Sequence, residues 1–214
     1  RPASGCSYVE LVAQGPQRPK WFVSHWWGEP VALFLRCLEQ HAADHKLDED
    51  TAYWVCAYAN NQHDVGGDVT ADPSESSFVK AIALAEGRVV SILDEEGMTF
   101  TRSWCTLEIH VGLKGVYEMY TAWEHEYRGD RRAVGLTSGP AEADYGNATL
   151  QTRRQSHFPL ALVKKAFTIA VERGEASVPS DHKHILNFIA GRRGDALEEP
   201  VLDKTKLDKP VVQR

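Results

Sequence analysis

Three short apolar segments, separated by stretches of helical periodicity, constrain this chain more than any other feature. Residues 20–25 (Lys-Trp-Phe-Val-Ser-His), 52–58 (Ala-Tyr-Trp-Val-Cys-Ala-Tyr) and 88–93 (Arg-Val-Val-Ser-Ile-Leu) are rich in β-branched and aromatic side chains and do not alternate apolar with polar. Runs of that kind are strands covered on both faces, as in a parallel sheet. Between the first two, apolar residues recur at Val31, Phe34, Leu35, Leu38 and His41 or Ala42, behind a Pro30 that suits a first helical turn. Between the second and third, Ser76 or Ser77 can cap a helix carrying Phe78, Ile82 and Leu84, and Gly87 can end it. Strand, helix, strand, helix, strand predicts an α/β fold with a central parallel sheet, right-handed crossovers and helices on both faces.

The remaining segments read less sharply. Residues 1–19 form an N-terminal lead-in in which residues 8–12 (Tyr-Val-Glu-Leu-Val) read as a short edge strand. The polar loop from Asn60 to Ser76 is too long to be a mere connector. A helix is expected through Trp104, Leu107, Glu108, Val111 and Leu113, with a fourth strand at 116–121. Residues 124–156 are charged and weakly periodic, an insertion within a single domain spanning 20–190. Phe158, Leu162, Val163, Phe167, Ala170 and Val171 mark an amphipathic helix, and Ser180 or Asp181 caps another carrying Ile185, Leu186, Phe188 and Ile189. The expectation for 191–214 is an extended tail.

Composition excludes several functions. With 24 basic against 30 acidic residues, a net charge of -6, the chain lacks the electrostatic footprint for binding nucleic acid or an anionic membrane. Its longest apolar run, between Ala161 and Val171, is broken by Lys164 and Lys165, far short of the roughly 20 residues a membrane span needs. Cys6, Cys37, Cys56 and Cys105 form no CxxC pair and three lie in apolar segments, which reads as reduced thiols in a reducing compartment, cytoplasmic or organellar after removal of a leader. Walker-type, GxGxxG and GxSxG patterns are absent, and no acidic pair ends the first strand as a phosphate-signalling receiver would require.

The order of parts adds a resemblance. A strand ending in Val23-Ser24, a long loop after the second strand, and Ser103-Trp104-Cys105-Thr106-Leu107-Glu108-Ile109 after the third together resemble a TIR (Toll/interleukin-1 receptor) domain over residues 20–121. The box Ser24-His25-Trp26-Trp27-Gly28 is similar to that of a divergent TIR-like group. The resemblance implies a flavodoxin-like, three-layer fold. Many TIR domains cleave NAD between nicotinamide and ribose with one glutamate, and the matching residue here is Glu108. Where NAD-cleaving relatives often carry an arginine just after the first strand, this chain has His25, Trp26 and Trp27.

The chemistry suits a carboxylate. Cleavage develops oxocarbenium-like charge on the ribose, which a nearby carboxylate in a water-poor site stabilises. Trp104, one helical turn before Glu108, is placed to stack on nicotinamide or cover the ribose. Ser24, His25 and Gly28 end the first strand at the carboxyl edge of the sheet, where open α/β folds bind ligands, and Gly28 lets a phosphate approach the backbone. Asn60, Asn61 and His63, with Gln62 and Asp64, can bind ribose hydroxyls or hold the loop in one conformation. The bland readings stand beside these: Trp104 and Cys105 as packing residues, Glu108 as a solvated helix carboxylate or partner of Arg102, and Trp26 and Trp27 as a hydrophobic wedge.

No metal or bound cofactor is expected; NAD enters as substrate. Asp181-His182-x-His184 with His157 places alternate residues of a helix about 200° apart, a poor ligand set. His41 and His45, one turn apart beside Asp44, have ligand-compatible spacing but read as an exposed polar face. Two other classes stay open. One is a non-catalytic interaction module that self-associates or binds protein partners, including an accessory subunit of a larger organellar or photosynthetic assembly. The other is a nucleotide-signal binding domain without turnover.

Overall fold

The computed structural model of the chain describes residues 5–64, 71–124, 129–137 and 170–192, with single positions at 152, 156 and 160. Its centre is a sheet of β1 (Trp21–Ser24), β2 (Tyr53–Val55), β3 (Arg88–Leu93), β4 (Val116–Glu124) and β5 (Arg131–Gly135), in the order β2-β1-β3-β4-β5. The first four are parallel, and β5 closes the edge antiparallel to β4. This is the flavodoxin-like α/β arrangement expected. The chain leaves β1 toward β2 on one side and returns to β3 on the other, so the strand order reverses between β1 and β3, the place where open sheets of this kind hold ligands.

Side-chain alternation on β1 divides the core. Trp21 and Val23 face α2 (Val31–Asp44), where Phe34 and Cys37 join Val90, Ile92, Tyr120 and Ala133. Phe22 points to the opposite face, against Phe78, Ala81 and Ile82 of α4 (Ser77–Leu84). Full burial of a side chain the size of Phe22 stabilises by about 1.5–3 kcal/mol. On that second face α5 (Ser103–Gly112) packs beside α4, and α6 (Pro179–Ile189) packs on α5. The backbone at the base of β3 and β4 is close-packed: a Cβ at Gly115 would stand 2.4 Å from the carbonyl oxygen of Gly87. Gly87 itself has φ +74°, a left-handed conformation that glycine adopts without strain.

Several expectations are corrected. Residues Tyr8–Val12 form a helix, α1, not an edge strand. Ser7 and Glu10 make a reciprocal capping box, with the Ser7 backbone N–H donating to the Glu10 carboxylate over 2.7 Å, and this local signal outweighs the β-branched composition. The second strand stops at Val55, and Cys56–Ala59 turn into a short helix, α3, leaving Tyr58 exposed. The buried stripe of α2 runs through Phe34, Cys37 and His41, so Val31 and Leu35 face outward. Part of the supposed insertion is β5, and the fourth strand runs on to Glu124. His41 is wholly buried rather than part of an exposed polar face; burial, then the neighbouring His45, push its pKa down to about 3.

The amphipathic helix expected at 158–171 lies outside the described residues up to 169, apart from position 160, while Val171 opens a short 3-10 turn. The tail from 193 also lies outside them. Among the described residues no helix is long and apolar enough to cross a membrane.

Candidate active site

β1 delivers Ser24 to the β1/β3 crossing point, in register with Ser91 of β3. Alternation puts its side chain on the α4/α5 face, where α5 presents Glu108. The Ser24 hydroxyl donates to the Glu108 carboxylate at 2.5 Å, and Glu108 is only 4% exposed. Burial pushes the Glu108 pKa up to about 8 despite the opposing hydrogen bond from Ser24. A carboxyl of that kind is largely protonated at neutral pH and ionises when positive charge comes near. The readings of Glu108 as a solvated carboxylate or as the partner of Arg102 are overturned, since Arg102 pairs with Glu175 at 3.6 Å.

The surroundings of this pair are soft and dry. Cys105 Sγ lies 3.6 Å from the His25 carbonyl oxygen, and Cys56 Sγ is 3.9 Å from His25 Nε2 and accepts from the Trp27 indole N–H at 3.1 Å. Burial raises both thiols, Cys56 to about 12, with the Glu108 charge as the next contribution. Burial also lowers His25 to about 4. A neutral Cys56 thiol beside a neutral His25 imidazole does not form the ion pair of a cysteine nucleophile. All four cysteines are free thiols.

Other expected contacts are placed differently. The Trp104 indole stacks on Phe78, with centroids 4.9 Å apart, and its N–H donates to Asp181 at 3.1 Å. The ring is committed to joining α4, α5 and α6. Gly28 is crossed by the Trp26 indole, which an added Cβ would meet at 2.2 Å, so this glycine makes room for a neighbouring ring rather than for a phosphate. Trp27 is 63% exposed and is no wedge in the core. Asn60 is buried; Asn61 donates to the Gly5 carbonyl and accepts from the His63 backbone N–H, and Gln62 donates to the Cys56 carbonyl. These bonds brace the loop, and the His63 side chain is exposed. Ser24, His25 and Glu108 are therefore brought together, while Trp104, Gly28, Asn61 and His63 act in packing or at the loop surface.

The start of α5 is clamped from far along the chain. No side chain caps it. Instead the Ser103 N–H donates to the Glu175 carbonyl at 2.9 Å, the Glu175 N–H donates to Thr101, and the Ser103 hydroxyl meets His182 Nδ1 at 2.8 Å. His182 Nε2 faces the Glu172 carbonyl at 3.1 Å, so both ring nitrogens are engaged within the protein. His157 lies outside the described residues.

Glu29 was not singled out by sequence reasoning. It is 8% exposed, its Oε2 has no hydrogen-bond partner, and burial followed by the Asp94 charge raises its pKa to about 8. Glu29 follows the exit of β1 and Asp94 follows β3, so two carboxyls flank the crossing point although no acidic pair ends β1 itself. Its position in the loop after the first strand was the available signal.

Comparison of the chain with family models, with curated proteins and with solved structures found no match.

Proposed function

We propose that this chain is a TIR-like N-glycosidase that cleaves the nicotinamide–ribose bond of NAD, by hydrolysis or cyclisation, with Glu108 as the catalytic carboxylate. The observation that carries this reading is the Ser24–Glu108 couple, buried at the β1/β3 crossing point of a flavodoxin-like sheet. In such a dry site the Coulomb attraction between a carboxylate and an oxocarbenium-like ribose is strong. The positive charge of the nicotinamide ring favours the ionised form of Glu108 as substrate binds, its proton passing to bulk water, and the charge then moves to the ribose as the bond stretches. Ser24 holds one carboxylate oxygen so that the group stays aimed. With Trp104 tied to Phe78 and Asp181, stacking on the leaving base passes to the exposed Trp27, whose N–H already rests on Cys56 beside the site.

Nicotinamide release from NAD by wild type and Glu108→Gln tests the proposal. The expected loss is about 10²–10³-fold, the cost of removing one transition-state electrostatic contact. Equal rates would remove the enzyme reading, and NAD binding without product would favour a nucleotide receiver.

A second reading, a protein-interaction module, is favoured by α1. None of its residues is buried, and Tyr8, Leu11 and Val12 are 57%, 61% and 59% exposed beside an exposed Tyr58. Loss of self-association or of a stoichiometric partner in Leu11→Asp, with nicotinamide release unchanged, would separate this surface from the catalytic one.

A further inference from the structure

α2 and β4 meet in a cluster of ionisable groups that the candidate active site does not use. His41 and His45 stand one helical turn apart on α2, and alternation along β4 turns Glu118 onto the same sheet face as Tyr120 and Ala122. His45 Nε2 is 2.8 Å from Glu118 Oε2, and His41 Nε2 is 3.7 Å from the same oxygen. The three ligand atoms lie within 4.8 Å of one another. His41 is 0% exposed, and its Nε2 has no hydrogen-bond partner. An orphaned polar atom in such a place is destabilising unless something satisfies it.

We propose that His41, His45 and Glu118 bind a divalent transition-metal ion of the zinc type. Two imidazoles and a carboxylate are the donor set such ions take, and an i, i+4 histidine pair on one helix face presents both rings to one point. Ligands about 2.0–2.1 Å from a tetrahedral ion stand roughly 3.3 Å apart. The separations of 2.8 and 3.7 Å between the two imidazoles and the Glu118 oxygen bracket that value.

The neighbouring groups fit the same assignment. His41 Nδ1 is 2.7 Å from the Tyr53 hydroxyl. With the metal on Nε2, the Nδ1–H donates to that phenol oxygen and fixes the tautomer, as an outer partner of a metal-bound histidine does. Trp21 and Tyr120 pack edge-on against His41, with centroids 4.4 and 5.2 Å away, which keeps the surroundings apolar. The His45 side chain is 9% exposed and marks the side from which an ion enters. A single carboxylate is a poor match for magnesium or calcium, which take six or more oxygens. Three protein ligands leave a fourth position for water or a small ligand, the pattern of open rather than closed zinc sites.

The test uses the full chain, freed of metal with a chelator and then titrated with Zn(II), and separately with Co(II). The expected result is one equivalent bound per chain, a rise in Tm, and the intense visible absorption of tetrahedral Co(II). Glu118→Gln and His45→Gln each abolish that absorption, and Tyr53→Phe weakens binding about 10–100-fold. Should the substitutions unfold the chain, wild-type protein labelled with ¹⁵N at histidine gives the same answer. Zn(II) should then shift the Nε2 resonances of two of the nine histidines, His41 and His45. No binding by wild type, unchanged binding in both folded ligand variants, or Zn(II) shifts at other histidines only would overturn the proposal.

Discussion

The Ser24 hydroxyl and the Glu108 carboxylate stand 2.5 Å apart although 84 residues separate them in the chain. One residue ends a strand and the other lies in the middle of a helix, and only the crossover between them brings both to the point where the strand order reverses. Removing the hydroxyl therefore changes the state of the acid as well as its position. Because Ser24 is the one contact holding the Glu108 pKa down against burial, Ser24→Ala should raise it further. The expected outcome is an alkaline shift of the pH profile of nicotinamide release and a stability loss of about 1–3 kcal/mol, read by kinetics and by urea unfolding.

Glu108 also makes stability depend on pH. Its pKa rises from 4.5 to about 8 on folding, so between those values the folded chain keeps a proton that the unfolded chain releases. Stability then falls as pH climbs through that window. Glu29, raised to about 8, contributes with the same sign. Glu108→Gln should melt above wild type at about pH 8 and lose most of that advantage at about pH 5. Parallel Tm profiles for the two proteins would show that Glu108 is not buried as described.

Trp104 is a packing residue in this fold, and its partner provides the means to show it. Asp181→Ala removes the acceptor of the indole N–H. The expected cost is about 1–3 kcal/mol, the range for a donor left unpaired, with KM for NAD unchanged. A rise in KM without a loss of stability would return Trp104 to the substrate.

Gly115→Ala should be among the more damaging single-methyl additions in the protein. Its Cβ would press on the Gly87 backbone at 2.4 Å, where no flexible side chain can move aside. A loss of about 1–3 kcal/mol in chemical unfolding is expected, the usual range for overpacking. Gly28→Ala presses first on the Trp26 ring, and its effect should show in tryptophan fluorescence.

The parallel core was legible because covering a strand on both faces leaves a continuous apolar run, and Arg88–Leu93 forms β3 over the same residues the sequence suggests. β5 was not, since Arg131 and Arg132 are exposed on an edge strand and only Ala133, Val134 and Gly135 are buried. α1 was misread because Tyr, Val and Leu dominate its composition, while the Ser7-x-x-Glu10 signal is carried by two flanking hydrogen-bonding residues. In the site, Ser24 could be placed at the carboxyl edge from the end of its strand, and Glu108 from the resemblance of its helix to a TIR box. The direction of the Trp104 ring depends on Asp181, 77 residues on, and no local pattern contains it. The histidine pair on α2 was visible, yet its third member, Glu118, is 73 residues beyond His45 and faces inward only because of strand alternation.

The clasp of Glu175 on Thr101 and Ser103 has a consequence for how the protein is made. Synthesis runs from the N-terminus, so β1 to β4 and the whole of α5 leave the ribosome well before residue 175 does. Until that residue emerges, the first turn of the acid-bearing helix lacks its backbone anchor. The nascent chain therefore carries its glutamate in an unfinished seat until Glu175 reaches Thr101 and Ser103.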